Sequence, residues 1–139
     1  TDRQTNKKSY LHYFQDLIRP ELSEFCQEAQ VSCSMTDCWA VRYQKGDQQT
    51  IHNHKSWGFT GILYVEFDHY IHSPTCFVAP WQDPRSDTTS LTYPQGVKEG
   101  TIFISPSYTL HFVHPNPVRK HRTIISFDLL PKLPDHQSV

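Results

Sequence analysis

A mainly β sandwich or jelly roll carrying one helical element near its start is the fold this sequence predicts. Hydrophobic period two takes over from Ser34 onward, and turn-forming clusters separate the alternating runs. Aromatic residues make up 13% of the chain and there are ten prolines, which suits a loop-rich β domain better than a helical bundle. With 139 residues the chain has material for one core, so a single domain over 1–139 is expected, with the helical element at 9–29 and the β core at 34–130.

The helical element rests on Leu11, Phe14, Leu17, Ile18, Leu22 and Phe25, which recur at steps of three and four. Pro20 interrupts this stripe and should kink the helix or open a second one after Ile18 and Arg19. An apolar stripe must cover something, so the helix is expected on the outer face of a sheet. The strand candidates follow: 38–43, 59–67, 75–79, 101–104, 110–113 and 123–127, with a further extended run entering His52. Lys45-Gly-Asp, Ser73-Pro, 81–87, Tyr93-Pro-Gln-Gly, Lys98-Glu-Gly and His114-Pro-Asn-Pro supply the turns. Seven or eight short strands result, and 131–139 reads as coil.

Charge narrows the function. A net charge of −1 gives no basic field, so neither nucleic acid nor an anionic membrane surface is an expected partner. The apolar runs fall short of the roughly 20 residues a spanning helix needs, and residues 1–8 have no apolar signal core, so a soluble chain is expected. Cys26, Cys33, Cys38 and Cys76 form no C-x-x-C pair and read as reduced thiols, which points to the cytoplasm.

Nine histidines exceed what an ordinary core uses. His52 and His54 follow the Gly46 turn at i and i+2, which puts both imidazoles on one side of an extended segment. His111 closes a second Gly-led run from Gly100, and Arg122 follows on the next strand. Asn116-Pro117 lies midway between His111 and Arg122, which returns Arg122 to about the height of His111. A lone strand histidine is more often a satisfied polar residue than a ligand; the conjunction is what suggests a metal with a guanidinium beside it, the arrangement a carboxylate clamp requires.

These residues resemble the Fe(II)/2-oxoglutarate-dependent oxygenases, particularly their prolyl-hydroxylase-like branch and short bacterial and phage members. The family pattern runs Tyr-x-x-Gly-x-x-Tyr-x-x-His-x-Asp, then a distal His, then Arg or Lys; Tyr43, Gly46, His52, His111 and Arg122 match in order and spacing. Ser105-Pro-Ser through His111 to Asn116 is similar to the distal block of the short members, and 122–128 to their closing strand. The likeness covers roughly 38–128. It implies a double-stranded β-helix (jelly roll) with the N-terminal helix packed on one sheet.

It also implies Fe(II) held by His52 and His111 with His54 as third ligand, and 2-oxoglutarate as cosubstrate. Arg122 would grip the distal carboxylate of 2-oxoglutarate, with Tyr64 and Ser126 as further hydrogen-bonding candidates. The reaction implied is hydroxylation of a C–H group on a peptide or small molecule. Two departures stand out: His54 occupies the usual carboxylate position, and Gln49 that of the usual 2-oxoglutarate-binding tyrosine. Asp83 or an exogenous ligand could complete the site instead of His54. Cupins share parts of the same spacing but expect a Glu shortly after His54, where Lys55-Ser-Trp-Gly-Phe-Thr has none. A cupin-type metalloenzyme that does not use 2-oxoglutarate and a non-catalytic jelly roll therefore remain as alternatives. Trp57, Trp81, Arg85 and Tyr93 are expected on loops near the mouth, His69 and His72 in solvent, and His114 and His121 beside the site.

Overall fold

The computed structural model describes residues 1–4, 8–82, 85 and 89–132. Two helices, α1 (Leu11–Leu17) and α2 (Arg19–Glu28), precede eight strands: β1 (Cys33–Tyr43), β2 (Gln49–His52), β3 (Phe59–Glu66), β4 (Cys76–Gln82), β5 (Thr89–Thr92), β6 (Ile102–Pro106), β7 (His111–Val113) and β8 (Arg122–Pro131). They form two four-stranded sheets ordered β1-β8-β3-β6 and β2-β7-β4-β5.

The pairing has a simple origin. β1 pairs with β8, β2 with β7, β3 with β6 and β4 with β5, always antiparallel. Those are the rungs of one long two-stranded ribbon, and β3–β8 and β4–β7 contacts stitch the ribbon where it rolls over itself. The fold is a double-stranded β-helix.

Alternation along β8 divides the interior. Ile125, Phe127 and Leu129 face the helices and pack with Phe14, Ile18 and Leu63; Phe14 meets Phe127 edge-on at 5.5 Å between ring centres. Arg122, Ile124, Ser126 and Asp128 therefore face the second sheet, since side chains alternate. There Ile124 joins Tyr43, Ile62, Tyr64, Phe77 and Val113 in an inner core. Gly61 lies opposite Phe127 in register, and a Cβ added to it would stand 2.0 Å from the Phe127 ring. Absence of a side chain at Gly61 is what lets the ring lie flat over the sheet.

The helix breaks where Pro20 predicts, with Pro20 in the first turn of α2. Leu17, however, is 67% exposed. Breaking the helix at Ile18 ends α1 with Leu17 on its far side, and the covering stripe runs Phe14, Ile18, Leu22, Phe25. Strand β4 continues through Trp81 and Gln82, which the sequence assigns to a turn, because β5, not expected at all, pairs with that extension at Gln82–Thr89. β8 runs to Pro131, which pairs with Cys33. Asp83 and 133–139 lie outside the described residues. Among the described residues no helix is long and apolar enough to cross a membrane.

Candidate metal and cosubstrate site

His52 and His111 are cross-strand partners on β2 and β7. Residues in register on one antiparallel pair project to the same face, which brings their ring centres to 4.4 Å. His54, two residues on, keeps that face although β2 has ended; its N–H donates to the Ser107 carbonyl at 3.0 Å, which holds the segment beside the strand-end turn. Its ring lies 5.4 Å from His52 and 5.1 Å from His111. One ligand atom from each of the three falls within 4.8 Å of the others, close enough for a single cation to be shared.

The tautomers are fixed by what each Nδ1 touches. Thr50 O lies 2.7 Å from His52 Nδ1 and Thr109 O lies 3.0 Å from His111 Nδ1, the same two-residue step back in two Thr-x-His segments. A carbonyl can only accept, so each Nδ1 carries the proton and Nε2 is left with its lone pair. His54 differs: its Nδ1 lies 2.9 Å from Asp128 Oδ1. All three rings thus offer Nε2. Burial, reinforced by the neighbouring imidazoles, pushes His111 down to about 4, and burial likewise lowers His52. Both are neutral at pH 7, with Nε2 available to a metal.

Asp128 is 1% exposed. Its Oδ1 also accepts from Thr60 Oγ1 at 3.0 Å, and Thr60 shares a 3.0 Å hydrogen bond with Ser107. Oδ2 has no hydrogen-bond partner, with Lys55 Nζ at 3.6 Å. Burial alone would raise the Asp128 pKa; hydrogen bonds from His54 and Thr60 and the Lys55 charge outweigh it, so the group stays a carboxylate. Sequence reasoning left Asp128 without a role, although counting in twos from Arg122 along β8 puts it on the cavity face.

Between the sheets runs a cavity of about 350 Å³ lined by the three histidines, Trp39, Tyr43, Thr75, Ile124 and Ser126, with Gln49 and Asp47 among the residues toward solvent. Arg122 stands behind its Thr75 wall, 2% exposed, donating from Nη2 to Thr75 Oγ1 at 3.1 Å and from Nε to Ser73 O at 3.3 Å. Its guanidinium carbon lies 4.9 Å from the Tyr43 ring centre and 5.4 Å from that of Tyr64. Tyr64 is turned to structure, its hydroxyl accepting from Thr75 N–H at 3.1 Å. Nη1 has no hydrogen bond of good geometry, although the Tyr43 and Tyr64 hydroxyls lie near enough to interact with the guanidinium, and among the described residues no carboxylate is within ion-pair distance of Arg122. A buried, unpaired N–H of a cation beside a cavity is a feature that an incoming carboxylate would complete.

A sequence profile described as "Putative 2OG-Fe(II) oxygenase" matches residues 37–128. The chain belongs to this 2-oxoglutarate–Fe(II) oxygenase family. Comparison with curated protein sequences finds no match. Among solved structures, a 2OG-Fe(II) oxygenase family oxidoreductase from Burkholderia pseudomallei is similar with a TM-score of 0.66 at 14% identity, over 90% of this chain and 57% of its own. HygX from Streptomyces hygroscopicus, with nickel and 2-oxoglutarate bound, gives 0.64 at 12%, over 90% and 69%. A Pseudomonas putida prolyl-4-hydroxylase gives 0.60 at 12%, over 91% and 70%. The chain thus spans little more than half of the Burkholderia protein's length, and these likenesses are likenesses of fold.

Other expectations are corrected. His72 is 5% exposed rather than solvated: its Nδ1 accepts from Asp68 N–H at 3.0 Å and Nε2 lies 3.2 Å from Lys120 O, so it staples two loops. His114 is three residues from His111 and so points to the opposite face of β7, where Nε2 meets the Tyr93 hydroxyl at 2.8 Å. Tyr93, Trp57, Arg85 and His121 do not line the cavity. Trp81 lies on β4.

Proposed function

We propose that this chain is an Fe(II)- and 2-oxoglutarate-dependent oxygenase that hydroxylates a C–H group of a small molecule or peptide in a reducing, cytoplasmic setting. The observation that carries this reading is the conjunction of three convergent Nε2 atoms with the unpartnered Nη1 of Arg122. Iron and cosubstrate together would supply oxidising chemistry for which no side chain here has the means. What the chain contributes is holding and exclusion. His52, His54 and His111 would hold the metal through Nε2, each kept in that tautomer by its Nδ1 partner. Arg122 would take the distal carboxylate, with Ser126 and the Thr75 hydroxyl on the cavity wall beside it.

The inner apolar wall of Ile62, Val113 and Ile124 keeps water from the region between metal and guanidinium. Gln49, exposed toward solvent, has room for contact with substrate rather than cosubstrate. A cupin-type metalloenzyme would have no use for a buried cation with an open donor, which is why the cosubstrate reading is preferred. Incubating the protein aerobically with Fe(II), ascorbate and 2-oxoglutarate tests it: slow succinate formation that disappears with His111→Ala is expected. Succinate formation at the same rate in His111→Ala, or none with any substrate class tried, would refute it.

A further inference from the structure

Of the three histidines, only His54 is backed by a carboxylate. His52 and His111 give their Nδ1 protons to backbone carbonyls, whereas His54 gives its proton to Asp128, 74 residues away on β8. His54 also occupies the one ligand position at which the sequence departs from the family's carboxylate. The exception in the hydrogen bonding and the exception in the sequence fall on the same residue.

We propose that Asp128 is a positioning residue that delivers to the metal, through the His54 ring, the negative charge that a carboxylate ligand would otherwise supply directly. This rests on the three-histidine metal site proposed above. A buried carboxylate with one oxygen lacking any hydrogen bond is costly to keep and calls for a reason. Folding alone does not supply it, since the neutral isostere asparagine could accept from Thr60 and His54 equally well. Apart from the part-exposed Lys55, 3.6 Å from Oδ2, the charge on Asp128 has a use if something positive sits beyond His54. Pulling on Nδ1–H makes Nε2 a stronger donor, the established effect of a carboxylate behind a metal-bound imidazole. Lys55, whose side chain is 36% exposed and whose Nζ stands 3.6 Å from Oδ2, competes for the same charge from the solvent side. Thr60 and Ser107 fix the carboxylate in rotation so that Oδ1 faces the ring.

The test is titration of the metal-free protein with Co(II), read by calorimetry and by the visible d–d bands, with no turnover involved. Asp128→Asn is expected to weaken Co(II) binding roughly 10- to 100-fold. In a His54→Asp background, where a carboxylate sits at the ligand position itself and no imidazole relays charge, the same Asp128→Asn change is expected to weaken binding by a much smaller factor. That difference separates charge delivery from a merely structural role, which would cost the same factor in both backgrounds. Lys55→Met, which touches no ligand, should tighten binding, and it stands as the second variant should Asp128→Asn not fold.

Unchanged affinity in Asp128→Asn, equal losses in both backgrounds, or unchanged or weaker binding in Lys55→Met would overturn the proposal while leaving the metal site standing. No Co(II) uptake by the unmodified protein would remove the metal site, and this inference with it.

Discussion

Replacing Arg122 by methionine separates what the buried cation does for the fold from what it does for a ligand. Arg122 is 2% exposed and has no carboxylate partner among the described residues. Methionine would forfeit the bond to Thr75, leaving a buried hydroxyl short of one donor at a cost of about 1–3 kcal/mol. Contacts with the Tyr43, Tyr64 and Phe67 rings add about 0.5–2 kcal/mol. Ser73 is exposed, so its carbonyl recovers a partner from water. Against these losses stands relief of a desolvated charge, worth several kcal/mol, and of the open Nη1 donor, about 1–3 kcal/mol. The sum lies near zero or favours methionine.

Ligand-free Arg122→Met should therefore unfold in urea at the wild-type midpoint or above it. The metal-loaded wild type should in addition gain about 2.7 kcal/mol at a 2-oxoglutarate concentration one hundred times its Kd, and the variant nothing. Loss of 3 kcal/mol or more without ligand would show that the guanidinium is a structural keystone. Equal stabilisation of both proteins by 2-oxoglutarate would show that it is no clamp.

Gly61→Ala should destabilise by about 1–3 kcal/mol, since its Cβ meets the Phe127 ring at 2.0 Å and Phe14 blocks the ring's retreat; thermal melting checks it, and wild-type stability would mean the ring can move after all. The metal-free protein should lose stability as pH falls. The depressed pKa of His111 means that the unfolded chain binds the proton first, so its contribution is complete above 6.5 and gone near 4, on the order of 3 kcal/mol over that window. Urea titrations at several pH values should show this slope, and His111→Gln should flatten it; an identical slope in the variant would exclude His111 as its source. His52→Ala or His111→Ala should abolish stoichiometric metal uptake measured by equilibrium dialysis, whereas His72→Asn should leave uptake intact because its ring serves the loops at Asp68 and Lys120.

Period two made the sheets and the histidine cluster legible: His52 and His54 share a face by spacing alone, and Gly46 and Gly100, both at positive φ, open the segments that lead to the two halves of the site. Arg122 and His111 lie on different sheets, and the Pro-Asn-Pro turn between them makes that crossing. Asp128 escaped notice because its significance depends on a partner 74 residues away, a relation with no local signature. The roles of His72 and Tyr93 were hidden for a similar reason, since Lys120 lies 48 residues from His72 and His114 lies 21 residues from Tyr93. Leu17 was misplaced because it was counted into the covering stripe, although the break expected at Pro20 ends α1 at Leu17 and leaves that residue facing outward.

Anaerobic titration of the metal-free protein with Fe(II) and then 2-oxoglutarate tests the central claim most directly. Three imidazoles sharing one Fe(II), with Arg122 behind the Thr75 wall of the cavity, predict a weak visible charge-transfer band that saturates at one 2-oxoglutarate per iron and vanishes in His111→Ala. Iron bound at one equivalent with no band on adding 2-oxoglutarate would contradict it.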